Sequence, residues 1–314
     1  MIVVTGGAGF IGSNLIQALN RRGENNILLV DNLTDGRKMH NIADLNIADY
    51  IDKTQFIEKI DSPGFFDDIQ AVFHQGACSA TTEWDGQYVM MNNYDYSKRL
   101  LHRCIQSNIP FIYASSASVY GTGKQGFRVD RSCERPINMY AYSKFQFDQY
   151  VRQILPETTS PVVGLRYFNV YGPREQHKGA MGSTVFHFNQ QIIEQKKAKL
   201  FEGCDGFANG EQLRDFVYVD DVVDVNVWFM DHPGQRGIYN VGTGKAETFN
   251  AVAQAVMAWH KQGSIEYIAF PEHLQGAYQS YTQADISGLR QAGYDKDFLD
   301  VKQGVGRYLE RLNP

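Results

Sequence analysis

Short apolar runs alternate with longer amphipathic segments through the first half of the chain. The runs are aliphatic-rich, have the length of strands and are bounded by polar residues or glycine. The predicted strands are Ile2–Thr5, Ile27–Asp31, Ala71–His74, Phe111–Ala114 and Val162–Tyr167. The predicted helices lie near Ile11–Arg21, Thr54–Ile60, Gln87–Gln106 and Tyr140–Leu155. This alternation predicts a parallel sheet covered by helices.

The alternation ends after Arg166, where turn-forming residues become frequent. Gly172-Pro173 and glycines at 179, 182, 203, 206 and 210 separate short segments. The next predicted strands are Arg214–Val219 and Ile238–Val241, and the next predicted helices are Phe249–His260 and Val301–Leu312. We therefore predict an α/β protein with a Rossmann-type doubly wound parallel sheet and a smaller C-terminal α/β domain. The expected boundaries give residues 1–170 and 214–242 to the first domain, and 171–213 and 243–314 to the second.

Composition and charge exclude several classes of protein. The 314 residues are 43% hydrophobic and 21% charged, which is typical of a globular chain. The net charge is −5 with no basic run, so nucleic acid is not an expected partner. The four cysteines, at 78, 104, 133 and 204, are far apart, which indicates reduced thiols and no metal site. The chain shows neither a signal-peptide pattern nor an apolar stretch of membrane-span length, so we expect a cytoplasmic protein without a membrane partner.

A glycine-rich segment follows the first predicted strand and opens the first helix. It places Gly6, Gly9 and Gly12 at intervals of three residues. Glycines in this context let the backbone approach a pyrophosphate, whose charge lies at the helix N-terminus. The alternative is a tight turn between strand and helix that needs glycine only for its geometry.

The residues leave the choice between two dinucleotides open. Asp31 ends the second predicted strand, where an acid usually hydrogen-bonds the adenosine ribose, and this favours NAD. Arg37, Lys38 and Lys53 follow, and any of them would neutralise the 2′-phosphate of NADP.

Tyr140 and Lys144 form a candidate acid–base pair, because positions four apart share one face of a helix. The Lys144 cation and a nicotinamide cation would lower the pKa of the Tyr140 phenol and let it act as a base. Ser116 follows a predicted strand at the carboxyl edge of the sheet, where it would hydrogen-bond a substrate oxygen. The alternative is one surface Tyr-Lys neighbour among many, since the chain has 18 tyrosines.

The glycine loop, Ser116, Tyr140 and Lys144, in this order, resemble the extended short-chain dehydrogenase/reductase family. The resemblance covers nearly the whole chain and implies an oxidoreductive step with a nicotinamide cofactor. Dehydratases of this family carry Thr-Asp-Glu near the catalytic serine, whereas this chain has Ser116-Ala117-Ser118. Dehydration is therefore not expected.

The segment Arg214–Asp221 resembles its counterpart in family members that modify nucleotide sugars. In those members the arginine faces the nucleotide or diphosphate, and a guanidinium suits phosphate. The alternative is that Arg214 pairs with Asp215 or Asp220.

Further segments resemble one group of nucleotide-sugar epimerases within the family. These segments are His74–Ser79, Thr81–Gly86, Arg166–Glu175, His177–Gly179 and Phe201–Gly203. The resemblance implies NADP, with NAD less favoured, a small nucleotide-sugar substrate and a homopentamer.

The resemblance also implies sets of site residues. The cofactor set is Gly6, Gly9, Phe10, Ile11, Gly12, Asp31, Asn32, Lys38, Lys53, Gln75, Gly76, Ala77, Cys78, Ser79, Asn92, Lys144, Val170 and Lys178. The substrate set is Asn169, His187, Phe201, Glu202, Gly203, Cys204, Arg214 and Tyr278. The catalytic set is Ser116, Tyr140, Lys144 and Lys178.

Three positions in these segments have open interpretations. Ala180 replaces a serine that family members offer, so a contact there would come from the backbone. The loop Asp205–Leu213 is longer than usual before Arg214. His187 lies between two phenylalanines, and its alternative role is to cap or pack within a helix.

Inversion at a carbinol carbon requires transient oxidation, because its C–H is not acidic. If the carbonyl rotates before it is reduced, two acid–base groups must reach its oxygen, one in each orientation. Tyr140 is one, and the resemblance gives Lys178 as the other; alternatively, Lys178 only holds the cofactor or the diphosphate. A 4-epimerase or reductase of another nucleotide sugar, or a non-catalytic NADP-sensing module, would be the alternative functions.

Overall fold

The structure, a computed structural model, describes residues 1–271 and 278–313. The strands are β1 Ile2–Thr5, β2 Ile27–Asp31, β3 Asp49–Asp52, β4 Ala71–His74, β5 Phe111–Ser116, β6 Val162–Tyr167, β7 Asn169–Tyr171, β8 Lys197–Phe201, β9 Leu213–Arg214, β10 Phe216–Tyr218, β11 Gly237–Val241, β12 Glu247–Thr248 and β13 Ser264–Ile268. The α-helices are α1 Phe10–Arg21, α2 Lys53–Lys59, α3 Gly86–Met90, α4 Tyr96–Gln106, α5 Met139–Ile154, α6 Thr184–Gln195, α7 Val219–Asp231, α8 Phe249–His260, α9 Ser287–Gln291 and α10 Val301–Leu312. A π-helical segment, Met91–Asp95, joins α3 to α4.

A seven-stranded sheet in the order β11-β6-β5-β4-β1-β2-β3 confirms the predicted doubly wound fold. Strand β1 pairs in parallel with β2 on one side and with β4 on the other. The strand order reverses at β1, because the chain builds outward to β3 and then returns to β4. At such a reversal the carboxyl ends of neighbouring strands diverge and leave a crevice for a ligand.

The inner strands are apolar along their whole length. Every residue of β1, β2 and β4 is buried, as expected for a parallel sheet whose two faces are covered by helices. Phe56, Leu100 and Phe111 are among the fully buried side chains of the core on one side of this sheet.

The chain forms two compact units. The first consists of Met1–Val119, Pro136–Arg166 and Val223–Tyr239, and the second of Tyr120–Arg135, Tyr167–Val222 and the chain from Asn240 onward. The second unit therefore takes residues 120–135, 167–170, 214–222 and 240–242, which the expected boundaries gave to the first domain. The cofactor and substrate roles assigned to the two domains stay predictions.

Segment 120–135 belongs to the second unit because it packs around Asn240. The Tyr120 hydroxyl donates to Asn240 Oδ1 at 2.6 Å, and Asn240 Nδ2 donates to the Phe127 carbonyl at 2.6 Å. No local sequence pattern marks this pairing, since its partners are more than a hundred positions apart.

The second unit has its own core, to which α6, α8, α10 and β8 contribute. Val185, Val252 and Val305 are among its buried residues, and β8 pairs in parallel with β13. The predicted helices Phe249–His260 and Val301–Leu312 are confirmed as α8 and α10. Helix α10 begins with a capping box. The Asp300 side chain accepts from the Gln303 backbone N–H, and the Gln303 side chain accepts from the Asp300 backbone N–H.

Two elements differ from their predicted form. The single strand predicted over Arg214–Val219 was wrong: Asp215 separates β9 from β10, and Val219 begins α7. The valines of α7 are buried, so tertiary burial outweighs their preference for strands. The helix predicted over Gln87–Gln106 is interrupted by the π-helical segment. Within the described ranges, no helix combines the length and the apolar character needed to cross a membrane.

We predict that Gly304→Ala destabilises the protein. A Cβ at Gly304, in α10, would overlap the buried phenol oxygen of Tyr171, and overpacking of this kind costs about 2 kcal/mol. In the same helix, a Cβ at Gly306 meets nothing within 4 Å, so Gly306→Ala should stabilise the protein by up to about 1 kcal/mol. Urea unfolding measures both changes, and a Gly304→Ala protein as stable as the Gly306→Ala control would contradict the packing described here.

Candidate active site

Two loops meet at the crevice between β1 and β4. The Thr5 carbonyl accepts from Gln75 N at 3.0 Å, and Thr5 Oγ1 accepts from Gly76 N at 3.1 Å. Gly6 has φ +67°, and a Cβ there would lie 2.6 Å from Gly76 N. A Cβ at Gly12 would overlap the Gly6 carbonyl oxygen. Glycine is therefore required at positions 6 and 12 by the close approach of the backbone itself.

The same geometry leaves a helix N-terminus facing the crevice edge. Helix α1 begins at Phe10 after Gly9, and its first turn contains no acidic residue. A helix start without a carboxylate suits an anionic ligand, because the unpaired N–H groups carry partial positive charge. The predicted residues from Gly6 to Gly12 and from Gln75 to Ser79 thus fit the pyrophosphate of a dinucleotide.

Asp31, at the end of β2, is a buried carboxylate with both oxygens engaged. The Ala8 N–H donates to Asp31 Oδ2 at 2.9 Å, and Lys38 Nζ donates to Asp31 Oδ1 at 2.9 Å. Lys38 Nζ also lies 3.3 Å from the Asn32 carbonyl oxygen and from its side-chain oxygen. The structure therefore brings the predicted residues 31, 32 and 38 into one cluster that combines an acid with a cation.

The other candidate cations near this cluster have different surroundings. Lys53 Nζ donates to Asn92 Oδ1 at 2.6 Å, so these two predicted cofactor residues are neighbours. Arg37 is 72% exposed and pairs with Asp35 at 2.8 Å.

The predicted catalytic residues of the first unit lie together where β5 meets α5. Strand β5 extends to Ser116, two residues beyond its predicted end, and Ser116 is hydrogen-bonded to the Tyr140 phenol. Helix α5 starts at Met139 because Asn138 caps it by accepting from Ala141 N at 2.8 Å. One turn further along, buried Lys144 donates to the Ala114 carbonyl at 2.8 Å.

Burial shifts the pKa values of both members of the acid–base pair. It lowers the pKa of Lys144 to about 8, against the opposing charge of Asp148. It raises the pKa of Tyr140, and the Ser116 hydrogen bond opposes that rise. Burial is the largest influence on the Tyr140 pKa in the protein alone. The lowering expected beside Lys144 and a nicotinamide cation stays a prediction.

Asn93 and Ser143 were not predicted, yet they connect the loop after β4 to α5. Asn93 accepts from Cys78 N at 2.7 Å and donates to the Cys78 carbonyl and to Ser143 Oγ, both at 2.9 Å. Ser143 Oγ donates to the Tyr140 carbonyl at 2.7 Å. Asn93 lies in the π-helical segment, whose extra residue per turn no sequence period reveals.

His74, the last residue of β4, has a structural role. Its ring is hydrogen-bonded to Thr5 Oγ1 at 2.7 Å and to Ser97 Oγ at 2.8 Å. Burial lowers the His74 pKa to about 3, and the Lys144 charge acts in the same direction. The ring is therefore neutral at physiological pH and links β1 to α4.

Arg214 is a buried cation in the second unit. It is 6% exposed, and its guanidinium lies 4.7 Å from the Tyr278 ring centre and 5.6 Å from that of Phe249. Burial lowers the Arg214 pKa. Among the described residues no carboxylate pairs with it, so an anion would find a desolvated and uncompensated charge.

The pairing of Arg214 with a neighbouring acid, left open by the sequence, is wrong. Asp215 accepts from the N–H groups of Thr243, Gly244 and Ala284. Asp220 instead pairs with Arg311 at 3.0 Å.

An aromatic group lies beside Arg214. The Phe201 ring meets those of Tyr278 and Phe270 edge to face, at 6.5 and 5.6 Å between centres. A Cβ at Gly203 would overlap the Phe207 carbonyl oxygen, so the loop after Phe201 needs glycine there.

The long loop before Arg214 is held at both ends. Gly210 N donates to the Phe201 carbonyl at 3.0 Å, and Gln212 Nε2 donates to the Glu202 carbonyl at 2.9 Å. Cys204 Sγ lies 3.7 Å from Ser280 Oγ. The predicted substrate residues 201–204, 214 and 278 thus form one cluster.

Asn169 and Val170 lie on β7, which pairs in parallel with β10. Asn169 N donates to the Asp215 carbonyl at 3.0 Å, and its side-chain oxygen accepts from Thr282 Oγ1 at 3.3 Å. A backbone hydrogen bond therefore links Asn169 to Asp215, the residue that follows Arg214.

Lys178 and His187 lie in another part of the second unit. Lys178 Nζ is 3.6 Å from the buried Glu175 carboxylate. His187 Nε2 is hydrogen-bonded to the Ala180 carbonyl at 3.2 Å, which is a packing contact made through the backbone. The catalytic role of Lys178 and the substrate role of His187 stay predictions.

In the ranges that the structure describes, no group of three or more His, Cys, Asp or Glu side chains is placed to hold a metal ion.

Comparisons with known proteins extend this description. The family model described as the NAD dependent epimerase/dehydratase family matches residues 2–242. The ADP-L-glycero-D-manno-heptose-6-epimerase of Helicobacter pylori is 32% identical with a TM-score of 0.85, and the match covers 99% of this chain and 95% of that chain.

Two solved 4-epimerases are also similar. The UDP-N-acetylglucosamine 4-epimerase of Methanobrevibacter ruminantium, in complex with UDP-N-acetylmuramic acid, is 26% identical with a TM-score of 0.85, covering 99% of this chain and 97% of that chain. The UDP-glucose 4-epimerase of Thermotoga maritima, with UDP-glucose, is 27% identical with a TM-score of 0.82, covering 99% and 98%. The same fold therefore occurs in epimerases of different sugars.

We predict that Ser116→Ala raises the pKa of the Tyr140 phenol further, because the Ser116 hydrogen bond opposes the effect of burial. NMR titration of protein labelled at the tyrosine ring carbon bearing the hydroxyl measures the change, with Tyr140→Phe assigning the resonance. Ser118→Ala removes a neighbouring hydroxyl and serves as the matched control. An equal shift in both variants would show that Ser116 does not act on Tyr140 directly.

Proposed function

Because the chain belongs to the NAD dependent epimerase/dehydratase family, whose members act on nucleotide sugars with NAD(P), we propose that it is an ADP-L-glycero-D-manno-heptose 6-epimerase. It would interconvert the D-glycero and L-glycero forms of ADP-D-manno-heptose and so supply the heptose of the lipopolysaccharide core. One observation carries this choice of substrate: the Helicobacter pylori enzyme is 32% identical over nearly the whole of both chains, against 26% and 27% for the two 4-epimerases.

NADP is the proposed cofactor. Lys38 neutralises Asp31, so a 2′-phosphate near the end of β2 would meet a cation rather than an isolated carboxylate. The glycine loop, Gln75–Ser79 and the Lys53–Asn92 pair would hold the rest of the dinucleotide. The first unit is thus the proposed cofactor domain, and the second, with Arg214 for the diphosphate, the proposed substrate domain.

When bound, the nicotinamide supplies reversible hydride transfer at the reacting carbon. Tyr140 takes the proton of the C6 hydroxyl as a ketone forms there, and Ser116 donates a hydrogen bond to the same oxygen. Lys144, as an ammonium held by Ala114, stabilises the negative charge that the Tyr140 oxygen carries after losing its own proton.

Inversion requires a second acid–base group, and Lys178 is the proposed one. Once the carbonyl group has turned over, its oxygen lies on the side away from Tyr140, and a proton must be delivered from there. The ion pair with buried Glu175 restrains the Lys178 side chain. We also propose that the enzyme acts in the cytoplasm as a homopentamer.

We predict that Tyr140→Phe and Lys178→Met each lower kcat for heptose inversion by at least about a hundredfold, because each removes a proton-transfer group. Binding of NADP should stay largely intact. The controls make the same changes at the exposed positions Tyr142 and Lys302. NMR of the C6 stereocentre of ADP-heptose follows turnover, and near-normal turnover by one variant would remove that residue from proton transfer.

The same assay separates the alternatives. Inversion at C4 of a UDP-hexose in place of C6 of ADP-heptose would replace the proposed substrate. Stoichiometric consumption of NADPH would identify a reductase, because an epimerase regenerates its cofactor. Normal NADP binding with no turnover of any nucleotide sugar would favour a sensing module.

We predict that Lys38→Ala weakens NADP binding at least about tenfold while changing NAD binding little, because it removes a charge-assisted contact to the 2′-phosphate. Arg37→Ala is the control, since Arg37 is exposed and paired with Asp35. Calorimetric titration with each dinucleotide measures the constants. Equal weakening for NAD and NADP would mean that Lys38 supports the loop and not the phosphate.

A further inference from the structure

Behind the catalytic pair lies a buried carboxylate that the proposed reaction does not use. Asp148 is on α5, one turn after Lys144, and is fully buried. Its Oδ1 accepts from the Tyr113 hydroxyl at 2.8 Å, and its Oδ2 accepts from Ser115 Oγ and from Arg166 Nε, both at 2.8 Å. A buried carboxylate with this many charged and neutral donors is held in one position.

These donors are arranged around the atom that binds Lys144. Tyr113 and Ser115 flank Ala114 on β5, and the Ala114 carbonyl accepts from Lys144 Nζ at 2.8 Å. Asp148 and Lys144 share one face of α5, since they are four positions apart. One turn of α5, from Lys144 to Asp148, is therefore hydrogen-bonded to three consecutive residues of β5. Ser116 is the next residue along that strand.

Among the charges around Lys144, that of Asp148 does most to favour the ammonium form. Asp148 acts on it from its own helix, and Cys78 acts on it from the loop after β4. His74, at the end of β4, is neutral at physiological pH and adds no charge. Burial disfavours the ammonium, and Asp148 is the larger of the influences that favour it. Arg166 is buried against Asp148, with its Nε 2.8 Å from Asp148 Oδ2.

We propose that Asp148 is a positioning residue for the hydride-transfer site: its carboxylate holds the end of β5 against α5 and keeps Lys144 charged beside the Ala114 carbonyl. Arg166 and the hydroxyls of Tyr113 and Ser115 make this buried carboxylate tolerable by satisfying both of its oxygens. Burial together with Asp148 raises the pKa of Tyr113 well above its ordinary value, so its phenol stays a donor. The predicted effect of Asp148 on turnover rests on the proposed function. Its predicted effect on Lys144 does not.

The test titrates Lys144 itself in the NADP-saturated protein, by NMR of lysine labelled at Cε. The resonance is assigned by its loss in Lys144→Met. Asp148→Asn should lower the Lys144 midpoint by about one pH unit, because it removes the opposing charge and leaves burial unopposed. Tyr113→Phe removes a neutral donor to the same carboxylate and should leave that midpoint in place.

Asp148→Asn alone leaves the Arg166 guanidinium buried without its carboxylate, so the double variant Asp148→Asn with Arg166→Met is made beside it. The double variant removes both charges, is expected to fold, and should lower the midpoint in the same direction. A folded, NADP-binding double variant with the wild-type midpoint would overturn the proposal, and so would a shift of equal size in Tyr113→Phe.

Turnover adds a second readout. In Asp148→Asn, kcat should fall at least about tenfold and the basic limb of its pH profile should move to lower pH with the Lys144 midpoint. If Asp148 had a purely structural role, the variant would have a lower kcat at every pH and an unshifted basic limb. That result would contradict the proposal. A shifted midpoint in a protein that turns over no nucleotide sugar would leave this inference standing while the proposed function failed.

Discussion

The buried ammonium of Lys144 is the interaction on which the first unit's chemistry depends. Removing a cation from water is costly unless charge and hydrogen bonds replace the lost hydration. Here the Ala114 carbonyl takes one of its protons, and Asp148 supplies charge from the next helical turn. Meeting both requirements fixes β5 against α5. Ser116, at the end of β5, is hydrogen-bonded to Tyr140 on α5.

The second unit also buries a cation, but one that no described carboxylate neutralises. Arg214 is enclosed by the rings of Tyr278 and Phe249, and none of the described carboxylates pairs with it. A guanidinium keeps its charge when buried, whereas an ammonium is much easier to deprotonate. Lys144 therefore suits a site where protons move, and Arg214 suits one where an anion is held.

The similar structures show whether the fold by itself selects the sugar. Epimerases of a heptose and of two hexose derivatives share it with TM-scores from 0.82 to 0.85, so the fold does not select the sugar. In this chain the strand order reverses at β1, and a sheet of this kind holds a ligand in the crevice at such a reversal. Sugar preference must come from side chains that differ around that shared fold.

The sequence alone determined the doubly wound sheet and the Tyr140–Lys144 pair, because strand and helix periodicity and i, i+4 spacing are local properties. The family came from the resemblance of the ordered motifs to those of known proteins. Bounds such as Phe249–His260 were confirmed for the same reason. Only the tertiary structure decided which acid faces Lys144, that Asp215 and Asp220 are engaged elsewhere, and that burial raises the pKa of Tyr140. Burial and long-range pairing join residues far apart in the chain, and no local pattern records them.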